Sequence, residues 1–200
     1  MESLEKYLIE LGVTPDHWCP GFDFENSEID FSEAPKPEPK GKTLTYLVLH
    51  CTATPRGRWV DGKEVISWHT EPLPKGRGWS RPGYTDLILL DGTIERLWQN
   101  DEDGIVSPGE ITNGAKGINS ISRHIAYVGG VNKQGKPEDT RTPGQKETMK
   151  EYVLDFITKF PHIGVAGHNY FAAKACPSFS VPEWLLEIGA PERNIVSRRR

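Results

Sequence analysis

The sequence predicts an α/β fold in which helices flank a central mixed β-sheet. The segment TYLVLHCTAT is a short, nearly continuous apolar run, as expected for a strand that is covered on both faces. HIAYVGGV is a second run of this kind. Segments with the apolar spacing of helices alternate with these runs, and such alternation is typical of layered α/β proteins.

Three further elements are predicted in the middle of the chain. Residues 61–69 predict a helix. The segment YTDLILLDGTIERLW predicts two strands joined at Asp91–Gly92, because an Asp-Gly pair between apolar runs is a hairpin signal. Residues 99–120 are rich in Gly, Asn, Asp and Pro, and they predict a long surface loop that is a candidate wall for a functional site.

The C-terminal third predicts a long helix, a short strand and a final helix. Thr142 is a residue type that caps helices, and Pro143 suits the first helical position. The strand is expected at residues 163–165 and the last helix around residues 184–188. The core face of the long helix is predicted from apolar residues at helical spacing: Met149, Val153, Phe156, Ile157 and Phe160.

Composition and charge restrict the possible functions. A chain of 200 residues with 26% charged and 36% hydrophobic residues suits one globular domain of ordinary size. No apolar run approaches the roughly 18 residues that a membrane span requires, so no membrane span is expected. Residues 41–200 carry 21 basic and 18 acidic side chains, an excess that suits an anionic substrate but is too small to indicate a nucleic-acid partner.

Residues 1–40 are predicted to be a separate N-terminal segment, and residues 41–200 the main domain. The N-terminal segment is acidic and ends in the Pro- and Lys-rich connector EAPKPEPKGK. Its opening, MESLEKYLIELG, lacks the basic leader and apolar stretch of a secretory signal, so we expect synthesis in the cytoplasm. A short helix with one apolar face is predicted from four residues: Leu4, Tyr7, Leu8 and Leu11.

The stretch GHNYFAAKACPSF places a histidine, a lysine and a cysteine close together near the end of the chain. His168 and Cys176 are eight positions apart, which on a straight helix is about 12 Å. Zinc bonds are only about 2.0–2.3 Å long, so a shared ion requires the segment to fold back, as Pro177 would favour. Two ligands do not make a site, and a third must come from elsewhere.

His50 is the best candidate for the third ligand, because it ends a buried strand. The neighbouring Cys51 should point to the opposite face, so we interpret it as a buried thiol. The wide spacing of the three cysteines, Cys19 included, argues against a disulfide framework. Two histidines and a cysteine leave a fourth tetrahedral position to water, as in catalytic zinc sites. On spacing alone, three unrelated residues are an equally good interpretation.

Four blocks resemble one family in order and spacing: LVLHCTAT, RPGYTDLILLDGTIE, GAKGINSIS with YVGG, and GHNYFAAKACPSF. They are similar to the zinc-dependent N-acetylmuramoyl-L-alanine amidases of type 2, which include phage amidase-type lysozymes and peptidoglycan recognition proteins. The resemblance covers residues 44–188 and implies the peptidoglycan recognition protein-like amidase fold. It implies Zn²⁺ as cofactor, with His50, His168 and Cys176 as its ligands.

The resemblance also implies an active-site tyrosine at Tyr84 and an active-site lysine at Lys174. The family hydrolyses the amide between the lactyl group of N-acetylmuramic acid and L-alanine. Negative charge gathers on the carbonyl oxygen during this reaction, and a phenol or a fixed cation beside it stabilises that state. Without the resemblance, a solvated surface lysine and a half-buried strand tyrosine are the simpler interpretations.

The chain departs from the family pattern at two places. Thr85 and Asp86 stand where many relatives have His and Phe. By strand alternation Asp86 shares a face with Tyr84, so it either orients a zinc-bound histidine or is a satisfied polar group, and we favour the second. Gly114 stands where many relatives have histidine or threonine, which bears on substrate preference rather than on the chemistry.

We therefore expect a zinc hydrolase of peptidoglycan or muropeptides, an endolysin that acts on the cell wall after release and is a monomer. The alternative is a non-catalytic peptidoglycan-binding or regulatory protein of the same fold, which the retained Cys176 disfavours. Cytosolic recycling of wall fragments and a secreted effector are alternatives for its location. His69 is expected to pack or to face solvent, and no partner can be named for His124 or His162.

Overall fold

A five-stranded mixed sheet lies at the centre of the protein in the computed structural model, which describes residues 41–197. In chain order the strands are β1 (Lys42–Thr43), β2 (Tyr46–Cys51), β3 (Thr54–Pro55), β4 (Asp86–Ile88), β5 (Ile94–Arg96), β6 (Ile105–Val106), β7 (Ser122–Tyr127), β8 (Gly130–Val131) and β9 (Gly164–Gly167). The helices are α1 (Gly62–Thr70), α2 (Pro143–Lys159), α3 (His168–Phe171) and α4 (Val181–Glu187), with 3₁₀ turns at Asn119–Ile121 and Glu192–Asn194.

The spatial order of the central sheet is β5-β4-β7-β2-β9. Strands β4, β7, β2 and β9 are parallel, and β5 pairs antiparallel with β4. Two further two-stranded sheets pair β1 with β6 and β3 with β8. The mixed sheet with flanking helices that the sequence predicts is thus confirmed. The N-terminal helix at Leu4–Leu11, Cys19 and the connector up to residue 40 lie outside the described residues.

Both faces of the sheet are buried, and each packs against a different helix. Leu47, Leu49 and Cys51 of β2 belong to the larger core, which α2 covers with the predicted apolar face. Leu87 and Ala126 on the other face pack against Val65 of α1 in a smaller core. This burial explains why β2 and β7 are continuous apolar runs.

Helix α2 begins as predicted at its cap. The Thr142 hydroxyl accepts a hydrogen bond from the Gln145 N–H, and the Gln145 side chain accepts one from the Thr142 N–H. Pro143 occupies the first turn, where no backbone donor is required. The Gln145 amide also donates to the carbonyls of Ile88 and Val128, which fixes the helix to the ends of β4 and β7.

The predicted hairpin is confirmed between β4 and β5. Its turn contains Gly92 at φ +94°, a conformation that glycine adopts without a steric penalty. The loop expected over residues 99–120 is interrupted by β6, and an ion pair ties it to the sheet. The buried guanidinium of Arg123 donates to the buried carboxylate of Glu110 at 2.9 Å. The same carboxylate accepts the backbone N–H groups of Asp101 and Ser107.

Within residues 41–197, no helix has both the length and the apolar character needed to cross a membrane.

Candidate metal centre

Three side chains of metal-ligand type meet at the carboxyl ends of β2 and β9. These strands are parallel, so their carboxyl ends lie at the same edge of the sheet, where open α/β sheets bind ligands. His50 is the penultimate residue of β2, and His168 directly follows β9. The candidate ligand atoms of His50, His168 and Cys176 all lie within 4.8 Å of one another. The structure thus brings together the three residues that the sequence selects.

Cys176 reaches His168 because the segment between them folds back. Helix α3 is a single turn that ends at Phe171, and the Asn169 N–H donates to the Cys176 carbonyl at 2.8 Å. Gly167 makes room for the return, since a Cβ there would lie 2.8 Å from the ring of Pro177. The predicted fold-back is therefore found.

Cys51 lies in the core under α2, on the face that strand alternation predicts, but its thiol also interacts with the Cys176 side chain. Its side chain is 4% exposed and belongs to the core under α2, where its thiol lies 3.7 Å from the Ser178 hydroxyl. Its backbone N–H also contacts Cys176 Sγ at 3.3 Å. Contact with the Cys51 side chain and burial raise the pKa of the Cys176 thiol, and this backbone donor opposes the shift by favouring the thiolate form that a metal requires.

The donor set fits zinc. Cys176 Sγ lies 3.6 Å from His50 Nδ1. Bonds of about 2.3 Å to sulfur and about 2.0–2.1 Å to nitrogen, at a tetrahedral angle, separate the two donor atoms by about 3.6 Å. Imidazole and thiolate donors are those that zinc prefers, whereas calcium and magnesium require oxygen ligands.

The two candidate histidine ligands are held in the neutral form that binds metals. Burial lowers the pKa of His50 well below its usual value, and the neighbouring His124 and His168 lower it further. Burial also lowers the pKa of His168, with a contribution from the Lys174 ammonium. Protons therefore do not compete with a metal for these nitrogens near neutral pH.

The candidate ligands line a cavity of about 480 Å³ that also contains Tyr84 and Lys174. The Tyr84 ring lies beside His50, and its hydroxyl points to the Cys51 carbonyl at 3.4 Å. Burial raises the pKa of the Tyr84 phenol, so it remains protonated and able to donate a hydrogen bond. Lys174 is exposed at the rim. All five predicted site residues thus share one cavity.

Comparison with known proteins places the chain among phage endolysins. No protein-family model matches it. The endolysin of Klebsiella phage KP32 is 31% identical over 145 residues, which are 72% of this chain and 87% of that protein. The endolysin of Escherichia phage T7 is 32% identical over 138 residues, 69% of this chain and 83% of that protein. The chain belongs to the type 2 amidase family of endolysins.

Solved structures of an endolysin, an amidase and a peptidoglycan recognition protein share the fold of this family member. The Ph2119 endolysin from Thermus scotoductus bacteriophage Ph2119 matches with a TM-score of 0.56 and 25% identity, over 76% of this chain and 88% of that chain. The N-acetylmuramoyl-L-alanine amidase LysC from Clostridium intestinale matches with a TM-score of 0.58 and 21% identity, over 75% of this chain and 88% of that chain. Bumblebee peptidoglycan recognition protein SA matches with a TM-score of 0.54 and 17% identity, over 82% of this chain and 94% of that chain. The predicted amidase fold is confirmed.

Asp86 does not share a face with Tyr84, so that expectation is wrong. The chain bends at Thr85, whose carbonyl accepts both the Leu97 and the Trp98 N–H, and the bend interrupts strand alternation. The buried Asp86 carboxylate accepts hydrogen bonds from Arg96 Nε at 2.5 Å and from the Tyr152 hydroxyl at 2.8 Å. In this amidase-family chain Asp86 is therefore a satisfied polar group outside the cavity, which is the interpretation that we favoured.

His69 packs at the cavity wall. It is 8% exposed, and its ring stacks on Trp79 with centroids 5.1 Å apart. Its Nδ1 accepts the Gly83 N–H at 3.3 Å, which holds the backbone just before Tyr84. His162 lies at the opposite end of the sheet region, where its Nε2 lies 2.9 Å from the Leu44 carbonyl.

His124 is a site residue that the sequence analysis did not connect to the cluster. It is fully buried on β7, and its Nδ1 lies 3.0 Å from Nε2 of His50. Gly114 lies against this ring, since a Cβ at residue 114 would be 2.3 Å from His124 Nδ1. The signal was a histidine at the first position of the run HIAYVGGV, which the sequence predicts to be a buried strand.

Proposed function

We propose that this protein is a zinc-dependent N-acetylmuramoyl-L-alanine amidase that acts as an endolysin. Membership in the endolysin family makes it a peptidoglycan hydrolase; the metal and the bond that it cleaves are the proposal. The observation that carries the proposal is the convergence of His50, His168 and Cys176 at the floor of a cavity that Tyr84 and Lys174 also line. The bond is inferred from the four sequence blocks that resemble the amidases.

The zinc ion would be held by one nitrogen of each histidine and by the thiolate of Cys176. When bound, zinc supplies Lewis-acid activation of a water and of the scissile carbonyl near neutral pH. The protein contributes a pre-formed, partly water-excluded donor set, because His50 and His168 are buried and neutral. Little reorganisation is then needed before substrate binds.

The proposed roles of Tyr84 and Lys174 concern charge on the carbonyl oxygen. Addition of water to the amide carbon makes this oxygen negative, and fixed donors stabilise it most in a desolvated site. The protonated phenol of Tyr84 is such a donor, and its present contact with the Cys51 carbonyl is long enough to be exchanged for one with substrate. Lys174 provides a positive charge at the cavity rim. The C–N bond then breaks, leaving a lactyl carboxylate and the free amino group of L-alanine.

The remaining walls suit a glycopeptide. Trp68 and Trp79 supply aromatic surfaces of the kind that pack against sugar rings and peptide side chains, and Arg77 and Lys116 supply cations for the carboxylates of stem peptides. The Arg77 guanidinium lies 5.1 Å from the ring centroid of Trp79, so it is pre-positioned at the cavity. We propose that the peptidoglycan strand or a soluble muropeptide binds here.

The test pairs metal content with product release. Zinc is measured by mass spectrometry in the wild type, in Cys176→Ala and in Cys19→Ala, a control for the loss of a cysteine from outside the candidate ligand set. Release of L-alanine amino groups is measured on purified sacculi and on soluble muropeptides. We expect one zinc per chain and release from sacculi in the wild type and in Cys19→Ala, and loss of both in Cys176→Ala.

Three other outcomes would contradict parts of the proposal. Activity that persists in Cys176→Ala without metal would overturn the ligand set. Zinc at one per chain with no cleavage of either substrate would indicate a binding or regulatory protein. Cleavage of muropeptides alone would indicate recycling of wall fragments rather than an endolysin.

A further inference from the structure

Two buried histidines on neighbouring strands lie in series behind the candidate ligands. His124 Nδ1 lies 3.0 Å from His50 Nε2, while His50 Nδ1 lies 3.6 Å from Cys176 Sγ on the other side of the same ring. The register of β2 and β7 pairs Val48 with His124 and His50 with Ala126, so the two imidazoles are diagonal neighbours on one face of the sheet. One edge of the His50 ring therefore faces the candidate donors, and the other faces His124.

This geometry settles which nitrogen of His50 carries a proton once a metal binds. The nitrogen beside Cys176 Sγ is Nδ1, so Nδ1 is the atom available to the ion. A neutral imidazole that coordinates through Nδ1 keeps its hydrogen on Nε2. That hydrogen points to His124 Nδ1, which must then accept it, and the proton of His124 must sit on its own Nε2. His124 itself is not a fourth ligand, because the His50 ring separates it from the donor atoms.

The contact with His50 is the hydrogen bond that the described residues give the His124 ring. Its ring is fully buried, and its Nε2 has no hydrogen-bond partner among residues 41–197. Gly114 is required for its position, because a Cβ there would lie 2.3 Å from Nδ1 and 2.4 Å from Cγ.

We propose that His124 is a positioning residue for the metal ligand His50, and that Gly114 provides the space in which it acts. The inference rests on the zinc site of the proposed function. Metal-bound histidines usually donate their second N–H to a carboxylate or a carbonyl, and such partners orient the ring and increase its basicity. Here a neutral imidazole takes this place, so the ring is oriented without adding a negative charge beside the metal.

The test compares two substitutions of His124. In His124→Asn, the side-chain oxygen takes the place of Nδ1 as acceptor, whereas His124→Leu fills the space without an acceptor. Zinc affinity is measured by competition with a chromogenic chelator, and the stability of the metal-free proteins is measured in the presence of EDTA. We expect the zinc Kd of His124→Leu to rise about 10- to 100-fold, and that of His124→Asn to remain close to the wild-type value.

Gly114→Ala provides an independent variant, because it keeps His124 but displaces its ring. We expect weaker zinc binding here also. Equal zinc affinity in His124→Leu and the wild type would overturn the inference. The inference would also be overturned if His124→Leu and His124→Asn lost zinc affinity equally and in proportion to their loss of metal-free stability. The role of His124 would then be structural.

A measurement on the unmutated protein covers the case in which the variants do not fold. In zinc-loaded, ¹⁵N-labelled wild type, the inferred hydrogen bond should give a scalar coupling between His50 Nε2 and His124 Nδ1. Its absence in protein that holds one zinc per chain would overturn this inference and leave the proposed function intact. A wild type that binds no zinc would contradict the proposed function instead.

Discussion

The phenol ring of Tyr84 lies against the imidazole of His50, with 5.1 Å between ring centroids and 43° between ring planes. The contact places a protonated hydroxyl at the edge of the candidate metal centre, although His50 lies on β2 and Tyr84, 34 positions later, precedes β4. The Tyr84 backbone is held by the bend at Thr85 and by the bond between Gly83 and His69. Its orientation is thus fixed by neighbours on both sides.

Tyr84→Phe tests the role of this hydroxyl in catalysis. If the phenol donates to the carbonyl oxygen as charge develops there, kcat should fall by about 10²-fold, as for removal of one oxyanion donor. Zinc content should not change, because Tyr84 is not among the candidate ligands. Tyr46→Phe, on β2 but outside the cavity, serves as the matched control. A kcat for Tyr84→Phe equal to the wild-type value would contradict the proposed role.

Lys174→Ala tests the charge at the rim. Removal of the ammonium should lower kcat/KM by about 10- to 10³-fold with zinc content retained, because the charge acts on the reacting oxygen and not on the donor set. Lys63→Ala, which removes an exposed lysine from α1, should leave kcat/KM unchanged. Peptide release from sacculi at several substrate concentrations separates the effect on kcat from that on KM. An equal effect of both substitutions would indicate only a general attraction to an anionic wall.

Asp86→Ala should affect stability and not catalysis. The change leaves the buried Tyr152 hydroxyl without its acceptor and Arg96 without one of its carboxylate partners. We expect the free energy of unfolding to fall by about 2–4 kcal/mol. Asp155→Ala, at an exposed position of α2, should cost far less. Chemical denaturation measures both. Reduced zinc affinity of folded Asp86→Ala would revive the idea that this carboxylate orients a ligand.

His69 should make the stability of the metal-free protein depend on pH. Burial lowers its pKa from about 6.5 to about 4. Between these pH values the unfolded chain binds one more proton at His69 than the folded chain. The contribution of neutral His69 to the free energy of unfolding is therefore complete above pH 6.5 and is lost as the pH falls toward 4. In this pH window, His69→Asn should reduce the slope of the free energy of unfolding against pH by up to about 1.4 kcal/mol per pH unit.

Denaturation curves in EDTA at intervals between pH 4.5 and pH 8 provide the measurement. The wild type and His69→Asn should have parallel profiles above pH 7, which acts as the internal control. Parallel profiles throughout the acid range would contradict the assignment of this pH dependence to His69.

The parts of the fold that sequence analysis could predict depend on local patterns. Strand β2 is apolar because both of its faces are buried, and α2 begins at Thr142 because one hydroxyl and one glutamine complete the cap. Both signals lie within a few residues of the chain. The convergence of His50, His168 and Cys176 was identified through family resemblance, since no local pattern brings residues from two strand ends together.

The features that sequence analysis missed depend on backbone detail and on the order of strands. Asp86 lies on a different face from Tyr84, contrary to the expectation, because the chain bends at Thr85. The Thr85 carbonyl accepts hydrogen bonds from two backbone N–H groups, at residues 97 and 98. The contact between His124 and His50 exists because β7 lies next to β2, a non-local pairing that residue spacing does not encode. Alternation within one strand predicts a face reliably only while the strand remains regular.

The ion pair between Glu110 and Arg123 has a consequence for binding kinetics. It fixes the segment that supplies Asn113, Gly114 and Lys116 to the cavity. Ordering backbone costs about 1–2 kcal/mol per residue, and for this segment that loss of freedom occurs when the chain folds. A glycopeptide that arrives at the cavity therefore meets a wall already in place, so its association should be limited by encounter rather than by closure of a mobile loop.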